Sequence, residues 1–128
     1  MKPARVLIVD DNALNIELVR FVLEAAGFEV ASAPDADTAL AQIGAFEPAV
    51  VLMDIQLPGM SGLTLTRQIK ADPALRHLVV VAHTAYAMKG DAARLLAAGC
   101  DGYLAKPIDV RTFGADVRCL LQTGASSG

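Results

Sequence analysis

The stretch VVLMDIQLPGMSG, residues 50–62, decides the fold. Four apolar residues, Val50 to Met53, run into a lone carboxylate at Asp54, and Pro58-Gly59 follows as a turn signal. A short run that is apolar at every position reads as a strand covered on both faces. Working outward, RVLIV (5–9) has the same character and ends on two acids, Asp10 and Asp11. FEVAS (28–32), AVVLM (49–53), LVVVA (78–82) and GYLA (102–105) complete a set of five short strand-like runs.

Helical patterns lie between these runs. Asn12 is placed to cap a helix reaching about Ala26, with Gly27 as its stop. Pro34-Asp35 precedes ADTALAQIGAF, and Ser61 precedes GLTLTRQIKAD, which Pro73 closes. A fourth pattern runs from Met88 to Ala98 before Gly99. Asp109 is placed to cap a fifth, VRTFGADVRCLLQ, whose Val110, Phe113, Val117, Leu120 and Leu121 share one face. Residues 1–122 therefore form one domain, and TGASSG (123–128), with nothing to bury, reads as a flexible tail. Five β-α units joined by short connections imply an α/β fold, a doubly wound parallel sheet with helices on both faces.

Composition narrows the function. The 128 residues are 54% hydrophobic and 20% charged, enough for an aliphatic core and a wet surface. A net charge of −3 argues against a nucleic-acid or anionic-membrane partner. No apolar run approaches membrane-spanning length, and the opening MKPARVLIVDD is too short and acidic for a signal peptide. Cys100 and Cys119 have no metal-like or C-x-x-C spacing, which fits two thiols in a reducing cytoplasm.

In doubly wound sheets, ligands bind beyond the carboxyl ends of the strands. The residues following those ends are Asp10 and Asp11, Asp54, Thr84 and Lys106. Each alone is ordinary, since an Asp after a strand is commonly a turn or cap residue. Together they bring three carboxylates, a hydroxyl and an ammonium into one crevice. Crowded carboxylates repel, and a hard divalent cation with oxygen ligands relieves them: Mg²⁺ above all, with Mn²⁺ as a substitute. Magnesium in turn points to phosphoryl chemistry. Asp54, alone on the central strand, is the candidate nucleophile; Asp10 and Asp11 hold the metal; Thr84 and Lys106 bind phosphoryl oxygens.

VLIVDDNALN (6–15), VVLMDIQLPGMSG (50–62), VVVAHTAYAMKGD (79–91) and GCDGYLAKPID (99–109) together resemble the receiver domains of two-component response regulators. Within that family the chain looks most like DivK-type single-domain regulators and the receivers of hybrid histidine kinases. A start at Met1 and a short polar tail fit a free-standing regulator with no output domain. The resemblance implies a flavodoxin-like sheet of order 2-1-3-4-5. It implies phosphorylation of Asp54 by a histidine kinase or histidine phosphotransfer protein. Mg²⁺ would be held by Asp11, Asp54 and the Gln56 backbone carbonyl, with Asp10 acting mostly through metal-bound water. Thr84 and Lys106 would engage the phosphoryl group, and Tyr103 would be the aromatic switch on the fifth strand. Gln56 and Tyr86 occupy positions that tune acyl-phosphate lifetime, and the Lys106-Pro107 bond is cis. The signal would leave through the face of the fourth helix, fifth strand and fifth helix. The alternative is a phosphorylation-independent adaptor on the same scaffold.

Other classes fit less well. An aspartyl-nucleophile phosphatase of the haloacid-dehalogenase type needs a second acid two residues after the nucleophile, and Gln56 stands there. A flavin or nucleotide binder cradles phosphate in a Gly- or Ser/Thr-rich loop, whereas DDNALN repels it unless a metal intervenes. His83 departs from the family, which has an apolar residue there. It reads as a neutral, hydrogen-bonded histidine in or near the core, with a pH modulator of the switch as the alternative. The first helix is a candidate docking surface for the phosphoryl donor. Its polar side is Glu17, Arg20 and Glu24, with Asn15, Leu18, Val22 and Ala26 opposite. Leu14, Phe21, Ile16 and Leu23 widen the apolar arc, which broad burial against the sheet would account for.

Overall fold

A computed structural model describes residues 4–54, 61–84, 96–105 and 109–127. The elements are β1 (Arg5–Val9), α1 (Ala13–Ala25), β2 (Glu29–Ala33), α2 (Ala36–Phe46), β3 (Val50–Met53) and α3 (Gly62–Ala71). There follow β4 (Val79–Thr84), a helical segment α4 at residues 96–98, β5 (Gly102–Ala105) and α5 (Phe113–Ser127). All strand pairs are parallel, in the order β2-β1-β3-β4-β5, as the resemblance implied.

The continuous apolar runs are explained by the two layers they serve. Side chains alternate across a strand, so one set of β1, β3 and β4 residues faces each way. Leu7, Val9, Val51, Met53, Val80 and Ala82 pack against Ile43 of α2 and Leu65 and Ile69 of α3. Val6, Ile8, Val50, Leu52, Val79 and Val81 pack against Val19 and Leu23 of α1 and Phe113 and Val117 of α5. Both sets are almost fully buried. Val6–Val9, Val50–Met53 and Val79–Ala82 are therefore apolar at every position.

The start of α1 follows the cap read at Asn12, and α2 and α3 start after the Asp35 and Ser61 that precede their patterns. The Asn12 side chain accepts from the Asn15 amide at 3.0 Å, Asp35 from Thr38 at 2.8 Å and Ser61 from Thr64 at 3.2 Å. The Thr38 amide and hydroxyl hold the Asp35 carboxyl below the usual carboxylate range. Gly27 ends α1 with φ 97°, a conformation that favours glycine. Nearby, α5 crosses α1 closely: a Cβ on Gly114 would stand 2.7 Å from the Ala26 Cβ. Arg118 of α5 donates to the Ala26 carbonyl at 2.8 Å and lies 4.9 Å over the Phe28 ring. That guanidinium satisfies a carbonyl at the end of α1.

Four details differ from the sequence reading. β4 continues to Thr84, so Thr84 ends the strand rather than following it, and β2 is shifted one residue to Glu29–Ala33. The stretch 110–112 is a turn, held by Asp109, and α5 begins at Phe113. Val110 consequently leaves the buried face of that helix and is 57% exposed. Helical backbone also runs to Ser127, through the stretch read as a tail. The fourth difference concerns α1, whose buried face is Val19, Val22 and Leu23, whereas Leu14, Leu18 and Phe21 are 79%, 44% and 73% exposed. Spaced i, i+4, i+7, these three form one solvent-facing stripe, so broad burial does not account for the wide apolar arc. Neither cysteine is in a disulfide among the described residues; Cys100 is buried, which raises its thiol pKa, and Cys119 is exposed.

Candidate functional site

Asp10 and Asp54 are carried one step past the strands. Val9 is opposite Met53 in register, so the residues after them emerge side by side. The Asp54 amide donates to the Val9 carbonyl at 2.8 Å, and the Asp10 amide to the Ala33 carbonyl at 3.1 Å. These bonds extend the sheet ladder and fix both backbones at its carboxyl edge. Asp10 is 2% and Asp54 9% exposed, while Asp11 is open to solvent. Carboxylate oxygens of Asp10, Asp11 and Asp54 lie within 4.8 Å of one another.

The donor set fits a hard divalent cation. All three ligand atoms are carboxylate oxygens, and the exposed side at Asp11 leaves room for water or a phosphoryl group. Octahedral Mg²⁺ binds oxygen at about 2.1 Å, so bound oxygens sit roughly 3–4 Å apart. A spread of up to 4.8 Å requires only a small closure.

Asp10 is engaged on both oxygens. Oδ1 accepts from the Asn12 amide at 2.9 Å, and Oδ2 accepts from the Asn15 side-chain amide. Both donors come from the first turn of α1 and its cap, so one short segment caps the helix and orients the acid. Sequence reading placed Asn15 on the apolar side of α1 and missed this role. The signal was present in D-D-N-x-x-N, since Asn12 and Asn15 are three residues apart and both sit where α1 meets the strand end.

The other predicted residues are placed unevenly. Thr84 ends β4 opposite Ala105 in register, with its side chain outside the described residues. Gln56, Tyr86, Lys106 and Pro107 also lie outside them, as does the turn at Pro58-Gly59. Tyr103 stands on the edge strand β5, opposite Ala82 and 41% exposed. His83 is 2% exposed and lies in the layer under α1 and α5, consistent with a place in the core.

A five-stranded parallel sheet of this order with an acidic cluster at its carboxyl edge defines a class. The chain belongs to the response regulator receiver domains, whose family model matches residues 6–118. Within that class it is similar to the polar-differentiation response regulator DivK of Brucella anthropi, with 44% identity over 119 residues. That match covers 93% of this chain and 97% of the relative. Among solved structures, a putative response regulator from Chloroflexus aurantiacus matches with a TM-score of 0.88 and 33% identity, over 94% of this chain and 99% of that one. The receiver domain of a sensor histidine kinase from Pseudomonas aeruginosa matches with a TM-score of 0.81 and 31% identity, over 97% and 98% of the two chains. That structure holds a magnesium ion coordinated in its active site cleft. The present chain is thus a DivK-like receiver, a two-component signalling protein. Among the described residues no helix is long and apolar enough to cross a membrane.

Proposed function

We propose that Asp54 is the phosphoacceptor of a histidine-to-aspartate relay and that the three-carboxylate cluster is its Mg²⁺ site. The observation that carries this is the convergence of Asp10, Asp11 and Asp54, two of them buried, at the carboxyl edge of the sheet. In the transfer, an Asp54 oxygen attacks phosphorus, an O–P bond forms, and the N–P bond of a phosphohistidine breaks to leave imidazole. Asp11, Asp54 and the Gln56 carbonyl would hold the metal, while Asp10, whose oxygens accept from Asn12 and Asn15, would act mostly through water. The bound ion supplies charge neutralisation for the phosphoryl oxygens. Lys106 and Thr84 complete the phosphoryl contacts, Tyr103 follows Thr84, and Gln56 and Tyr86 set the rate of a slow self-catalysed hydrolysis.

The donor, a histidine kinase or phosphotransfer protein, docks beside the site on the stripe of Leu14, Leu18 and Phe21. Support comes from their exposure and from α1 starting at the carboxylates themselves. The message leaves by protein contact through the α4-β5-α5 face, where Leu96, Tyr103 and Val110 are exposed. The chain works in the cytoplasm, as the two cysteines without a disulfide suggest.

Acetyl phosphate or phosphoramidate with Mg²⁺ is expected to label the protein once, as read by intact mass. Asp54→Asn should abolish that labelling; undiminished labelling would refute the assignment. Leu14→Ser with Phe21→Ser should leave small-donor labelling unchanged while slowing transfer from a phosphorylated histidine protein.

A further inference from the structure

His83 is explained neither by the carboxylate cluster nor by the aliphatic core. It is the penultimate residue of β4 and 2% exposed. It lies on the face that carries Val79 and Val81, under α1 and α5. Its neighbour in register is Leu104 of β5, and its ring stands 5.3 Å from the Phe113 ring at a tilt of 48°. Phe113 is the first residue of α5 and is itself 2% exposed. The imidazole is therefore wedged between the end of β4 and the start of α5. On the other side, Met53 pairs with Ala82, so the next step along these strands sets Asp54 beside His83.

A smaller aliphatic residue at this position, like Val79 and Val81 before it, would continue the strand layer without offering a flat ring to Phe113. Imidazole is a rigid planar ring that reaches further from the strand than Val, far enough to meet the Phe113 ring. Close-packed interiors answer a local displacement by moving a neighbouring element as a unit. The element next in line starts from an exposed turn. The turn before α5 hangs on Asp109, whose carbonyl accepts from the Thr112 amide at 3.1 Å and the Phe113 amide at 2.9 Å. The Asp109 side chain accepts from the Arg111 amide at 3.0 Å, and this whole turn is exposed.

We infer that His83 is a positioning residue that carries displacement of the β4 end to the first turn of α5 through its contact with Phe113. This is a route to α5 that does not pass through Tyr103. It rests on the phosphoacceptor reading only for its trigger. The surface it resets is the start of α5, around the exposed Val110.

Backbone amide NMR on the full chain tests this. In the unsubstituted protein, beryllofluoride with Mg²⁺, a phosphoryl mimic, is expected to shift the amides of Thr84 and of Phe113 to Val117. In His83→Val the Thr84 shift is retained, and the α5 shifts fall by roughly half or more, as loss of a coupling contact requires. Phe113→Leu removes the same contact from the other side and gives the same split, which keeps the test intact should His83→Val not fold. Alpha-5 shifts of undiminished size in a folded variant overturn the inference. If the mimic shifts nothing in the unsubstituted protein, the phosphoacceptor reading fails instead. The coupling is then read from Thr84→Ala, whose α5 amide shifts must vanish in the His83→Val background; their persistence overturns it.

Discussion

The two ends of the sheet treat charge in opposite ways. At the carboxyl edge, Asp10, Asp11 and Asp54 bring like charges within 4.8 Å. At the amino edge, Arg5 and Lys70 are matched to acids and carbonyls. Arg5 meets Glu29 at 3.0 Å and the Phe46 carbonyl at 2.9 Å. Lys70 at the end of α3 meets Asp101 at 2.8 Å and the Leu78 carbonyl at 2.6 Å. Asp101 also accepts from the buried Val80 amide at 2.8 Å. Folding alone favours the second pattern, because crowded like charges cost free energy wherever water is excluded. The Mg²⁺ site proposed for the carboxyl edge would relieve the first pattern, whereas the amino edge reads as scaffold.

The largest effects expected from breaking that contrast fall on the metal. Asp11→Ala should weaken Mg²⁺ binding by about tenfold or more, equivalent to at least ~1.4 kcal/mol, by calorimetric titration. Asn15→Ala, which removes only a donor to Asp10, should weaken it less. If removing Asp11 left the affinity unchanged, the cluster would not be a metal site. Removing the cation has its own signature. Added Mg²⁺ should raise the melting temperature of the parent protein by mass action and do so much less for Asp11→Ala.

At the amino edge the effects are on stability. Asp101→Ala strands the Val80 amide and removes the acid partner of Lys70, and should cost about 1–3 kcal/mol in urea unfolding. Asp101→Asn keeps an acceptor and should cost less; equal losses would mean that the acceptor at Val80 is not what matters. Glu29→Gln should change stability by less than ~0.5 kcal/mol, because both partners of that ion pair are substantially exposed.

Asp35 sharpens the contrast at the carboxyl edge itself. It follows β2, yet it is satisfied by Thr38 rather than crowded by other acids. Its folded pKa lies below the unfolded value, so its contribution is present above about pH 4 and is lost as pH falls through the folded pKa. The gap in melting temperature between the parent protein and Asp35→Ala should therefore narrow between pH 7 and pH 3. A constant gap would show that charge plays no part in this cap.

The strands and caps were legible because they depend on neighbours in sequence. RVLIV and GYLA are strands with the bounds read from the chain, Asn12 caps α1 as its position implied, and Asp35 and Ser61 prove to be the caps of the patterns they precede. The acids at the strand ends were equally legible, since the ends of β1 and β3 follow directly from where the apolar runs stop. Val110 was misplaced because Asp109 spends its hydrogen bonds on a separate turn before α5 begins, which helical periodicity does not reveal. Asn15 was missed because a wheel records the side of a helix and not what stands beyond its end.

By itself the order of residues determined the class of fold, the starts of α1, α2 and α3 and which acids stand at the strand ends, all properties carried by runs of consecutive residues. Only the tertiary structure decided which side of α1 meets the sheet, leaving Leu14, Leu18 and Phe21 in solvent. Only it brought the His83 ring against Phe113 and closed Asn15 onto Asp10. The reason is physical. Local pattern states what a segment can bury, but the neighbouring helices and the crossing of strands settle which part of it is covered.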